Sequence, residues 1–136
     1  MKVLIDTNVI LDVLTRREPH FGHSEALLRL CGTRLTGCIT ASQTTDIFYM
    51  LRREGLDAQA ARQLLKKLTD NVKVIDINAA DVQSALASGV PDYEDSLLAC
   101  CAKRQRISYI ITRNEKDFKH APVPALSPKV FLEREQ

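Results

Sequence analysis

Hydrophobic residues along this chain fall into two alternating rhythms. Residues 2–5 are a short, mostly aliphatic run, too brief for a helix, and predict a buried strand. Asp6 ends that run, Thr7 and Asn8 are helix-starting types, and Val9, Ile10, Val13 and Leu14 recur on one helical face. A polar break at Arg16, Arg17, Glu18 and Pro19 precedes a second helix from Ser24 to Cys31, stopped by Gly32. Residues 35–40 predict the second strand, and Ser42 stands as N-cap of a helix reaching about Glu54, with Ile47, Phe48, Met50 and Leu51 inward and Gly55 closing it. Leu56-Asp57 opens a helix striped by Ala60, Ala61, Leu64, Leu65 and Leu68. Residues 72–77 predict a third strand. Asn78-Ala-Ala-Asp81 has the form of a capping box, starting a helix that Gly89-Val90-Pro91 breaks after about Ser88. Asp92 caps a helix from Tyr93 to about Gln105, and residues 108–112 predict the fourth strand. A short turn or helix over 114–118, an edge strand over 123–126 flanked by prolines, and a short helix from Pro128 complete the chain.

Strands that alternate with helices imply an α/β fold: an α/β/α sandwich with a parallel sheet of four to five strands and helices on both faces. With 136 residues and no repeat, linker or low-complexity tract, the expectation is a single domain over 1–136. No apolar run approaches a membrane span, and the N-terminus lacks the basic-then-apolar layout of a signal peptide, so a cytoplasmic protein without membrane association is expected. Cys31, Cys38, Cys100 and Cys101 form no Cys-x-x-Cys pair and have no His at zinc-ligand spacing, which predicts buried free thiols. A net charge of +2 is compatible with nucleic-acid binding without requiring it.

Four acids change this picture. Asp6 ends the first strand, Asp46 lies one turn inside the helix after the second, Asp95 lies one turn into its helix, and Asp117 follows the fourth strand. All four therefore fall beyond carboxyl ends of strands, where open α/β sheets bind ligands. Singly, each has a plain structural reading. Asp6 can cap a helix, Asp92 and Asp95 can form a capping pair favoured by the helix dipole, and Asp117 can be a surface turn residue. Asp46 fits such readings least, because it interrupts an apolar stripe, and a buried carboxylate needs a donor or a cation. Gathered together, carboxylates repel, and a hard divalent cation such as Mg²⁺ or Mn²⁺ relieves the repulsion while also holding phosphate oxygens. The residue types thus point to metal-dependent phosphoryl chemistry, of a nuclease or of a phosphatase.

At these residues the sequence resembles the PIN-domain family, in particular the VapC-type toxin ribonucleases of toxin–antitoxin pairs. The matching segments are VLIDTNVILDVL, ITASQTTDIFYML, PDYEDSLLACCA, IITRNEKDF and ALSPKVFL, in the family's order over nearly the whole chain. The resemblance implies an acidic pocket holding Mg²⁺ or Mn²⁺, with Asp6 and Asp95 as principal metal ligands and Asp46 standing where many members carry Glu. Either Asn114 or Asp117 faces the metal in the family's pattern. Asp92, Thr7, Asn8 and Thr112 become supporting groups that orient carboxylates and waters. The implied reaction is hydrolysis of an RNA phosphodiester. Among the basic residues Arg16, Arg17, Arg52, Arg53, Lys103, Arg104 and Arg113, the last, beside the pocket, becomes the foremost candidate for contacting RNA. A cognate antitoxin protein and a homodimer are implied as partners, with the helix bearing Leu64, Leu65 and Leu68 as a candidate surface for the dimer.

Two other enzyme-like classes fit less well. A phosphatase working through an aspartyl phosphate is expected to carry Asp-x-Asp where this chain has Asp6-Thr7-Asn8. A receiver-type signalling domain is expected to end its third strand in Asp, whereas Asp76 here is followed by Ile77 and Asn78. A catalytically silent binding module is the remaining alternative; the retention of all the main acids argues against it.

Overall fold

The structure, a computed structural model, describes residues 1–135. Five strands, β1 (Lys2–Ile5), β2 (Thr36–Thr40), β3 (Lys73–Ile75), β4 (Tyr109–Ile111) and β5 (Ala125–Leu126), form one sheet in the order β3-β2-β1-β4-β5. Every pairing is parallel, with Val3 opposite both Gly37 and Tyr109, and Ile5 opposite Ile111. Chain order moves outward from β1 to β2 and β3, then returns to β1's other side for β4 and β5. The strand order therefore reverses at β1, and the crevice beyond the carboxyl ends of β1 and β4 is the place this topology leaves for a ligand.

Among the described residues seven helices cover the sheet: α1 (Thr7–Leu14), α2 (Phe21–Leu30), α3 (Ala41–Arg53), α4 (Ala58–Asn71), α5 (Ala79–Leu86), α6 (Tyr93–Arg104) and α7 (Pro128–Arg134). A single 3₁₀ turn, Glu115–Phe118, follows β4. Because side chains alternate along a strand, Val3 and Ile5 pack into one core with Val9, Ile10, Leu27, Ile47, Leu51 and Phe131. Leu4, facing the opposite way, joins Cys38, Leu98, Ala102, Ile110 and Phe118 in a second core. The two-layered cover of helices expected from the alternating pattern is present.

Local departures from the pattern have identifiable causes. Helix α2 begins at Phe21, not Ser24, and Ser24 is instead buried inside it, bonded to Asp12. Helix α3 is capped by Thr40, not Ser42: Thr40 and Gln43 form a reciprocal capping box, and Ser42 is left exposed. β3 is three residues long rather than six, and β5 two rather than four. Both lie at sheet edges, where one flank lacks a ladder partner. At Gly37 the chain passes so close to α2 that an added Cβ would collide with Cys31 Sγ and meet Ile5 Cδ1 at 3.1 Å.

The cysteines are free; Cys31, Cys38 and Cys101 are buried and Cys100 half-buried. Burial pushes the Cys31 and Cys101 thiols up to about 11, consistent with inert packing residues. On α4, Leu68 is buried while Leu64 and Leu65 are half-buried, packing against the first core. Among the described residues no helix is long and apolar enough to cross a membrane.

Candidate active site

Asp6 occupies the switch point. As N-cap of α1 its Oδ1 accepts the Thr7 N–H at 2.7 Å, and its own N–H donates to Ile111 O at 2.9 Å, tying β1 to β4. Its Oδ2 accepts the Thr112 hydroxyl at 2.7 Å and, more loosely, the Asn8 amide at 3.4 Å. Thr112 is fully buried and its Oγ1 also receives the Asn114 N–H at 3.0 Å. Thr7, Asn8 and Thr112, proposed from sequence as supporting groups, therefore all bear on Asp6. Burial raises the Asp6 carboxyl above its ordinary value, against the lowering effect of Thr112, Thr7 and the Arg113 charge.

Asp95 faces Asp6 from the first turn of α6. Asp92 caps that helix by accepting the Asp95 N–H at 3.0 Å, which fixes the carboxylate's helical platform. Desolvation, then the charges of Asp6, Asp92, Asp117 and Glu94, pushes the Asp95 carboxyl up to about 7. That list of neighbours places Asp6, Asp92, Asp95 and Asp117 within one electrostatic cluster. Asp46 joins it indirectly. It is only half-buried, so the cost of an unpaired interior carboxylate does not arise as the apolar stripe suggested. Its neighbour is Glu94, raised first by desolvation of its inner side and then by the charge and hydrogen-bonding approach of Asp46, although its outer face is open to solvent.

Glu94 is the acid missed in the sequence. Its signal was present, a third carboxylate between Asp92 and Asp95, but a first-turn Glu is already explained by the helix dipole. Gln43 was missed too. Fully inside the protein, it donates to Ile5 O at 2.8 Å and to Thr7 Oγ1 at 3.2 Å while its Oε1 accepts the Thr40 N–H at 2.8 Å. It thereby fastens α3, and with it Asp46, to the end of β1.

Arg113, expected to contact RNA, is anchored on the protein through one nitrogen. Its Nε donates to Asp12 Oδ2 at 2.7 Å, and Asp12 is fully buried on α1 with Ser24 Oγ at 3.3 Å as second partner. A buried carboxylate demands a counter-charge, and this demand draws the guanidinium inward. Other arginines chosen from sequence are similarly committed: Arg16 over the Phe21 ring at 5.5 Å, Arg17 to Glu54 at 3.2 Å, and Arg104 through a two-pronged bond to Asp81 at 2.8 and 2.9 Å. Asn114 caps the 3₁₀ turn in sequence position only, making no side-chain cap bond, and both it and Asp117 are exposed.

Asp92, Asp95 and Asp117 line an open cleft of about 500 Å³ together with Pro91, Lys116, Lys119 and His120. Among the described residues no three His, Cys, Asp or Glu side chains converge into a ready cage for a cation. The donor set is nonetheless all hard oxygen, mutually repelling and partly desolvated. Its chemistry suits a hard divalent cation, and Asp6 and Asp95 are the carboxylates that would hold one.

Known proteins share this fold. The chain is 26% identical over 139 residues to Ribonuclease VapC1 of Aquifex aeolicus (strain VF5), covering 98% of this chain and 94% of that protein. FitAcB from Neisseria gonorrhoeae superposes with a TM-score of 0.72 at 18% identity, over 93% of this chain and 98% of that one. VapBC2 from Rickettsia felis, solved bound to a DNA fragment from its promoter, gives 0.69 at 16% identity, over 93% and 98%. The family model described as PIN domain matches residues 2–116, a span that holds Asp6, Asp46 and Asp95 and stops one residue short of Asp117, and the chain belongs to the PIN-domain family.

Proposed function

We propose that this protein is a metal-dependent endoribonuclease and the toxin component of a toxin–antitoxin pair. The observation that carries the reading is the gathering of Asp6, Glu94, Asp95 and Asp117, with Asp46 beside Glu94, within reach of one another's charge near the switch point of the sheet. Likeness along nearly the whole chain to a protein named a ribonuclease supports RNA as substrate, and solved neighbours that are toxin–antitoxin complexes support an antitoxin partner. In this reading the protein acts in the cytoplasm as a homodimer, which light scattering would test by giving a mass twice that of one chain.

Asp6 and Asp95 would hold Mg²⁺ or Mn²⁺, and such an ion would supply charge stabilisation at the phosphate undergoing displacement. The protein's own groups supply the rest. Thr112, Thr7 and Asn8 lock the Asp6 carboxylate in one orientation. Asp95 retains a proton through part of the neutral range, so loading of the site releases protons. Glu94, with Asp46 beside it, accepts a proton from the attacking water as its oxygen bonds to phosphorus and the bond to the leaving ribose oxygen breaks, that oxygen taking up a proton from solvent.

The test is cleavage of a mixed structured RNA with Mn²⁺ or Mg²⁺, with EDTA, and by Asp95→Asn. Cutting is expected to require the cation and to fall at least about 100-fold in the variant, as for loss of a group that acts on the transition state. Cutting that persists in Asp95→Asn with EDTA present would sink the proposed site.

A further inference from the structure

A bare acid cluster repels the very polyanion this protein is proposed to cut, so cations must stand close by. The arginine nearest the acids, Arg113, is held on Asp12, and Arg104 is clamped on Asp81. Three other basic side chains fill this gap. Lys116 and Lys119, on and just after the 3₁₀ turn that follows β4, and His120 beside them line the same cleft as Asp92, Asp95 and Asp117. All three are exposed, and among the described residues none forms a salt bridge. The two lysine charges are therefore not consumed by the acids lining the cleft. The cleft, at about 500 Å³, lies within the range of roughly 300–1,000 Å³ common for ligand sites.

We infer that Lys116, Lys119 and His120 form a backbone subsite for single-stranded RNA, holding phosphates next to the one positioned at Asp6 and Asp95. The inference rests on the ribonuclease reading and extends it. The acids of α6's first turn and the lysines around the 3₁₀ turn share this cleft, so a strand laid along it can set one phosphate by the acids, where a cation is needed, and its neighbours by the lysines. The short turn after β4 thus both contributes Asp117 to the acids and presents the lysines that flank them. Base identity is left unread, because phosphates carry no sequence information.

The experiment measures binding of a fluorescent single-stranded RNA of about ten nucleotides over a salt series, alongside cleavage of the same RNA by the parent with Mn²⁺. Binding is compared for Asp95→Asn, for that variant carrying Lys116→Ala and Lys119→Ala, and for that variant carrying Arg62→Ala and Lys67→Ala on α4. Loss of the two cleft lysines is expected to weaken binding about tenfold and to lower the slope of log K against log salt by about 1.4, two single-strand phosphate contacts. The α4 pair should leave both nearly unchanged. Equal weakening by the two pairs, or an unchanged slope for the cleft pair, overturns the subsite. A parent that cuts RNA while the cleft pair binds normally overturns this inference alone. A parent that binds through the cleft lysines yet never cuts sinks the nuclease reading and keeps the subsite. A parent that neither binds nor cuts removes both.

Discussion

Asp12 and Arg113 sit behind the acids, and their pairing decides how the loop after β4 is held. Asp12 is 0% exposed and its Oδ1 has no partner, so the Arg113 Nε and the Ser24 hydroxyl, both on Oδ2, are its whole compensation. Removing the arginine strands a buried charge. Arg113→Ala is expected to lose on the order of 3–5 kcal/mol, read from the urea midpoint. Joint replacement as Asp12→Leu and Arg113→Met should recover most of that loss, and a double variant as unstable as the single one would show that the pairing is not the cause. The same pair illustrates what a sequence discloses at this scale. Asp6 and Asp95 were legible because strand ends and helix starts locate them without tertiary knowledge. Asp12 was given no role from sequence, and Arg113 was read as a contact for RNA, because the bond between them spans 101 residues.

Elements hold the site together through a few side chains that span them. Gln43 is the clearest, joining the start of α3 to the end of β1 through three hydrogen bonds. Gln43→Ala leaves the Thr40 N–H and Ile5 carbonyl without their partner, and is expected to cost about 2–3 kcal/mol by thermal or urea melting. A loss under about half a kcal/mol would mean that water or a shifted helix replaces the amide. The capping box that contains Gln43 was readable as Thr-x-x-Gln, yet Ser42, two residues on, offered an equally good cap; only burial of Thr40 against the sheet decides between them. Asn78 and Asp81 had no such rival, and there pattern and structure agree. Strand order was beyond local reading altogether, since alternation fixes that strands are parallel but leaves open which neighbour each one takes.

The whole molecule is destabilised by what its site requires. Asp6, Glu94 and Asp95 all have carboxyls raised above the ordinary value, Asp95 from 3.8 to about 7. Between about pH 4 and 7 the folded chain therefore binds more protons than the unfolded one, and stability falls as pH rises through that window. Asp81 works in the opposite direction, its carboxyl held low by Arg104, so it acts below 3.8. Without divalent cations the melting temperature should drop from pH 5 to pH 8, less steeply in Asp95→Asn, and Mn²⁺ should restore it at pH 8 by binding the folded form alone. A melting temperature that rises over this interval without metal would contradict the clustering of these acids. β1 lies at the centre of the sheet, and its neighbour β4, with the Thr112 hydroxyl that orients Asp6, comes 106 residues later in the sequence. The carboxylate is therefore made long before its setting, and the two meet only when folding closes that long stretch of chain.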